Sequence, residues 1–163
     1  MAIVQWILIA IAALVAGGIG AGQFGLLKGS APTDLGVRDG RLKAPSATPN
    51  SVSSQAALYP DHPQRGYASI AALALNGDGP ATLAKIKAIV QATAGAEVVK
   101  SEPGYLYAQY TTALMKYVDD VEFWFDPVNG AVQVRSASRI GKGDLGANRK
   151  RVEMVRAALA ASG

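Results

Sequence analysis

Residues Tyr117 to Ser138 read YVDDVEFWFDPVNGAVQVRSAS, two alternating runs joined through Pro127–Gly130. In the first run Val121, Phe123 and Phe125 alternate with Glu122 and Trp124; in the second, Val132 and Val134 alternate with Gln133 and Arg135. A period of two marks a strand with one buried face, and Asn129-Gly130 is a hairpin signal. Directly opposed residues share a sheet face, so only registers whose paired numbers sum to an odd value set the valines against the phenylalanines. Every plausible register of that kind brings Glu122 opposite or diagonal to Arg135 and Asp120 near Arg139 on one face.

That pairing also interprets the charge. The chain carries 16 basic and 12 acidic side chains, unevenly placed. Asp119, Asp120, Glu122 and Asp126 form an acidic block without a base, and seven basic residues lie between Arg135 and Arg156 against Asp144 and Glu153. The two blocks are expected to form one ion-pair lattice rather than two binding patches.

Outward from the hairpin, two more strand-like runs precede it: AEVVKSE (96–102) and, after Pro103-Gly104, YLYAQYTTAL (105–114). Before these, PATLAKIKAIVQATAG (80–95) follows a Gly-Pro break, sets Leu83, Ile86, Ile89 and Val90 on one helical face, and stops at Gly95. After the hairpin, a second helix is predicted from about Leu145 to Ala160, with Leu145, Val152, Val155 and Leu159 inward, Asp144 as N-cap and Arg149 paired to Glu153 at i,i+4. The order predicts an α+β fold, an antiparallel four-stranded meander flanked by two helices. Residues 67–163 form this domain, and residues 29–66, rich in Pro, Ser and Gly, read as an extended irregular segment packing on it.

Residues 1–28 read as a transmembrane anchor or an uncleaved signal-like helix. Met1 to Leu27 has no charged side chain, and about 20 apolar residues suffice to cross a bilayer. Gly20 and Gly22 could serve a signal peptidase, but no Lys or Arg forms a basic n-region. Ala13, Gly17, Gly18, Gly20, Gly22 and Gly25 fall in small-x-x-x-small pairs and are expected to form a helix-packing face for other membrane subunits. Lys28, Arg38, Arg41 and Lys43 follow the helix and none precedes it, so the positive-inside rule weakly favours a cytoplasmic domain.

No complete catalytic set is legible. Gly141, Gly143 and Gly146 spell G-x-G-x-x-G, but a dinucleotide site needs a second parallel strand and an acidic residue about 20 positions on; only helix follows here, so no nucleotide is expected. His62, the one histidine, sits in a proline-bracketed loop, and Ser51, Ser53 and Ser54 lack a nucleophile elbow. Asp120 and Glu122 could face a hard cation, yet Arg135 and Arg139 compete for them. The NRKR stretch (148–151) could track phosphates or lipid headgroups; a solvated helix face is the plainer reading, and no nucleic-acid partner is expected. Tyr105, Tyr107, Tyr110, Tyr117 and Trp124 could present an apolar-ligand surface or simply pack the sheet. Without cysteine there is neither a disulfide nor a thiolate ligand, and no cofactor is expected.

TPNSVSSQA (48–56), YVDDVEFWFD and VRSASRIGKGDLGANRKRVE (134–153) together resemble an uncharacterised bacterial and plastid family, domain-of-unknown-function family number 1499. The resemblance places Gly141, Asp144, Leu145, Gly146, Asn148 and Arg149 in a Gly-x-x-Asp-Leu-Gly-x-Asn-Arg turn and leaves Gly143 outside it. Many members carry Cys-Pro-x-[ST]-Pro-Asn-Cys, implying a disulfide; Pro45 and Ser51 occupy those cysteine positions here. The resemblance also implies an anchored or exported protein, with a bacterial inner-membrane location and a periplasmic domain. It implies no reaction.

The expected function is thus a non-catalytic, single-pass accessory or stabilising subunit that docks integral membrane protein subunits and lipid through its N-terminal helix. A binding module for a lipid or other apolar ligand is the alternative. An envelope hydrolase gathering Asp119, Asp120, Glu122 or His62 in a cleft is the third. The residues expected to carry structure are Asp119, Asp120, Glu122, Arg135, Arg139, Asp144, Asn148 and Arg149, with Arg139 and Arg149 paired to the acidic strand.

Overall fold

The computed structural model describes residues 2–162. Helix α1 (Ala2–Gln23) comes first, with a mean hydropathy of 2.3 over its most apolar 18-residue window and no burial there, consistent with a single span or a signal sequence. It ends in a Schellman turn: Leu26 N–H bonds Ala21 C=O, Gly25 N–H bonds Gly22 C=O, and Gly25 takes the left-handed conformation at φ 78°.

The domain is built on one antiparallel sheet. β3 (Ala96–Glu102), β4 (Tyr105–Thr111), β5 (Val118–Asp126) and β6 (Ala131–Ser138) form the predicted meander, in the order β6-β5-β4-β3. Phe123 opposes Val134 and Glu122 opposes Arg135, an odd-sum register throughout. The β5–β6 turn is wider than an Asn-Gly pair requires. Pro127–Gly130 all lie in it, and the Asp126 carboxylate accepts from the Val128 and Asn129 amides. β3 is an edge strand whose register shifts between Val98 and Lys100.

Two short strands extend the expected sheet. β1 (Ser51–Ser53) pairs with the end of β6, and β2 (Leu73–Ala74) with its start. The segment 29–66 is therefore not wholly irregular. Two or three residues show no periodicity, and their partner lies some 60 to 90 positions away, so nothing local announces them.

α3 (Gly79–Gln91) and α4 (Ala147–Ala161) cover the inner sheet face; α2 (Arg65–Ala68) is a single turn. Asp78 caps α3 by accepting from the Ala81 amide at 2.7 Å. Gly79 is demanded by packing, because a Cβ there would collide with the Phe125 ring. Leu83, Ile86 and Val90 of α3 meet Val152, Val155 and Leu159 of α4 over Leu106, Val121, Phe123, Val132 and Val134, all buried. Leu145 does not join them. It lies before the helix, 98% exposed, at φ 51°. The 3.6-residue spacing that placed it inward holds only within the helix, which begins two residues later.

Among the described residues no helix covers the outer sheet face. Residues 29–47 lie over it as a strap, tied to the rest of the domain by Leu42 N–H to Gln55 Oε1 (2.7 Å) and Tyr59 Oη–H to the Leu42 carbonyl (3.0 Å). Where the strap meets β1, the loop that the family resemblance would staple by a disulfide is instead drawn together by Ser46 N–H donating to Ser51 Oγ at 2.8 Å.

Candidate functional site

Strand alternation sorts the acidic block onto two faces. Asp120 and Glu122 point outward under the strap, and Asp119 points inward toward α4. The structure thus forms two polar clusters back to back.

In the outer cluster Arg139 holds Asp120 in a bidentate fork, with Nε to Oδ2 at 2.9 Å and Nη2 to Oδ1 at 2.8 Å. Tyr107 Oη–H donates to the same carboxylate at 2.5 Å. Donating to Asp120 also holds the Arg139 guanidinium above its ordinary pKa. Glu122 is fully buried. Its Oε1 accepts from the Gly36 amide of the strap (2.7 Å) and from Tyr105 Oη–H (2.8 Å), while Oε2 has no hydrogen-bond partner and lies 3.9 Å from Arg135. Burial pushes the Glu122 carboxyl above the usual carboxylate range despite these donors. Burial, with the Glu122 charge second, pushes the Tyr105 phenol up as well. Burial lowers Arg135, which Glu122 opposes by charge and whose Nε–H donates to the Ala44 carbonyl.

The inner cluster joins β5, β6, α4 and the start of β1. Arg151 Nη2–H donates to Asp119 Oδ2 at 2.5 Å, and its guanidinium lies 4.6 Å above the Tyr110 ring. Arg151 and Ser136 both donate to Asn148 Oδ1, while Asn148 Nδ2 donates to the Asn50 carbonyl, Ser138 Oγ and Asp144 Oδ2. Asn50 Nδ2–H reaches the Gly141 carbonyl at 2.8 Å. Gly146, not Asp144, is the N-cap of α4; Asp144 lies two residues before it, and its carboxylate still accepts from the Asn148 and Gly146 amides and from Tyr67 Oη–H. Burial pushes its carboxyl up, but these hydrogen bonds together hold it below the ordinary range. Gly141 and Gly146 take left-handed φ values of 94° and 79°, whereas Gly143 does not; two of the three fingerprint glycines serve the turn.

Two expected arginine pairings are corrected. Arg149 does not reach the acidic strand; it donates to the Tyr67 and Ser69 carbonyls, and Arg151 takes the predicted role. Glu153 pairs with Arg156 at i,i+3 instead of with Arg149. Two residues on a helix differ by about 200° in direction, and the phase of α4 was not legible without its true start.

The remaining candidates do not converge. His62 accepts from the Gln64 amide within its own turn. Among the described residues no group of three or more His, Cys, Asp or Glu could hold a metal. The aromatics split between faces: Tyr105 and Tyr107 are engaged by carboxylates outside, and Tyr110 is buried inside. A cleft of about 360 Å³ between strap and sheet is lined by Lys43, Asp120, Arg135 and Arg139. Its charges are already paired, Lys43 with Asp34 at 2.7 Å and Arg139 with Asp120.

These features define an α+β sheet domain, closed by two internal polar clusters, behind a long apolar helix. The chain belongs to the family described as "Protein of unknown function (DUF1499)", whose model matches residues 41–159. The match spans the blocks that build the inner cluster, Pro49–Ser53 with Ser136–Arg151. Comparisons with curated proteins and with solved structures found no match in either.

Proposed function

We propose that the protein is a non-catalytic, single-pass accessory subunit of a membrane complex, anchored in a bacterial inner membrane by α1 and holding its domain on the periplasmic side. One observation carries this reading: the small residues of α1 fall into two groups. Gly18 and Gly22 face the domain, and a Cβ at Gly22 would collide with the Met115 backbone. Ala13, Gly17 and Gly20 lie on the opposite side by helical geometry, and Gly17 and Gly20 have open space where a Cβ would be. Gly25 belongs to the terminal turn. The helix is therefore fixed to its own domain on one side and leaves a close-approach face on the other, where neighbouring helices pack in lipid.

The test replaces Ala13, Gly17 and Gly20 together with leucine in the full chain. Mild-detergent purification of the wild type is expected to retain integral membrane subunits that the variant loses, with both still membrane-bound. Recovery of the wild type only as a lone monomer would sink the reading.

A further inference from the structure

The contact between α1 and the domain fixes which edge of the sheet lies nearest the membrane. Gln23 Nε2–H, in the last turn of the helix, donates to the Leu114 carbonyl at 3.0 Å. The Met115 side chain reaches Gly18, with its Cε 3.4 Å from where a Cβ would stand. At about 1.5 Å per residue, Gly18 lies about 7 Å deeper than Gln23. A 22-residue helix measures about 33 Å against about 30 Å of hydrocarbon. A centred span thus puts the Met115 side chain inside the apolar layer and the β4–β5 turn at its boundary.

The neighbouring surface fits that position. Leu114, Tyr117, Ile140 and Leu145 are exposed, and the last three line an apolar cleft of about 360 Å³ between the β4–β5 turn and the β6–α4 loop. Leu145, 98% exposed, is held at φ 51°, and Lys116 at φ 55°. Left-handed backbone at non-glycine residues is costly and marks places where the surroundings impose a conformation. Two of the three such residues described in the chain sit at these two tips. Lys28, Lys116 and Lys142 lie around the edge and join no ion pair among the described residues, while Asp119 and Asp144 are engaged inward. The pattern is an apolar tip ringed by free cations, which suits an anionic lipid surface.

We propose that this edge is a second membrane contact. Leu114 with Ile140 and Leu145 enters the headgroup boundary beside the anchor, the Met115 side chain reaches the apolar layer, Lys28, Lys116 and Lys142 meet anionic phosphates, and the sheet is held against the bilayer. The proposal rests on α1 being a span.

The chain has no cysteine, so single nitroxide labels can be placed by Leu14→Cys, Leu145→Cys and Val128→Cys in the full-length protein. Val128 is 91% exposed in the β5–β6 turn, at the far end of the sheet. The protein is reconstituted in vesicles of phosphatidylcholine with phosphatidylglycerol, and in phosphatidylcholine alone. Labels at 14 and 145 are expected to be open to oxygen and shielded from a water-soluble nickel chelate, with the label at 128 showing the reverse. The label at 145 is expected to lie shallower without phosphatidylglycerol. A label at 145 behaving like that at 128, with 14 still in lipid, overturns the docking and leaves the anchor standing. A label at 145 closed to both reagents indicates protein cover and overturns it too. Equal depth in the two lipid mixtures removes the role of the lysines. A label at 14 exposed to the chelate overturns the span and this proposal together.

Discussion

Away from the Asp119–Arg151 cluster at one end of the inner face, the two faces of the sheet are buried by different physics. Beneath α3 and α4, Phe123, Val121 and Val134 are removed from water by apolar side chains, a non-directional gain that scales with area. Beneath the strap, Asp120, Glu122, Arg135 and Arg139 are buried as charges, and each depends on one or two partners in fixed geometry. An apolar face tolerates small shifts at graded cost. A buried ionic face fails abruptly when one partner leaves, although the intact pair adds little over a hydrophobic replacement.

The largest break in this comparison should come from the apolar side. Phe123→Ala leaves a cavity under both helices and is expected to cost about 3–5 kcal/mol, read as a lowered midpoint in denaturant titration of the detergent-solubilised protein. Arg139→Ala strands the Asp120 carboxylate beneath the strap, for an expected loss of about 3 kcal/mol. The sharper measurement is a double-mutant cycle of Arg139→Gln with Asp120→Asn, in which a coupling below about 0.5 kcal/mol would make the fork a surface-like pair. Asp144→Asn weakens the start of α4 by about 1 kcal/mol. Because folding lowers the Asp144 pKa, its contribution is present above the unfolded value and lost as pH falls through the folded one. The smallest effect, and the most diagnostic, belongs to Glu122. Its pKa is raised on folding, so its site is most stabilising in acid and loses that stability as pH rises through the folded pKa. Glu122→Gln should remove this dependence while staying within about 1 kcal/mol of the wild type at neutral pH; an unaltered stability–pH profile would show that Glu122 does not titrate there.

The contrast between the faces also explains what could be read from the chain. Strong alternation announced β5 and β6, and the odd-sum register led directly to the Glu122–Arg135 and Asp120–Arg139 relations. The apolar positions of α3 were legible for the same reason. The strap was expected to pack on the domain, but its donation from Gly36 to Glu122 comes from a backbone amide, which leaves no mark in residue type. The inner cluster was half legible. Asp144 and Asn148 stood out in the turn motif, whereas Asn50, Ser136 and Tyr67 join it only through long-range contacts. Leu145 misled because the helix was expected to begin there, and its apolar spacing fitted a helical face that starts only at Ala147.

The register shift in β3 bears on how these molecules behave when crowded. Its outer edge offers unpaired backbone amides and carbonyls, the template on which a second sheet could add. The irregularity between Val98 and Lys100 interrupts that template, and Glu97, Lys100 and Glu102 place alternating charge along it. If α1 anchors the chain as proposed, copies confined to two dimensions meet far more often than copies in solution. An edge that resists strand addition keeps neighbouring copies separate there, without needing a partner to cover it.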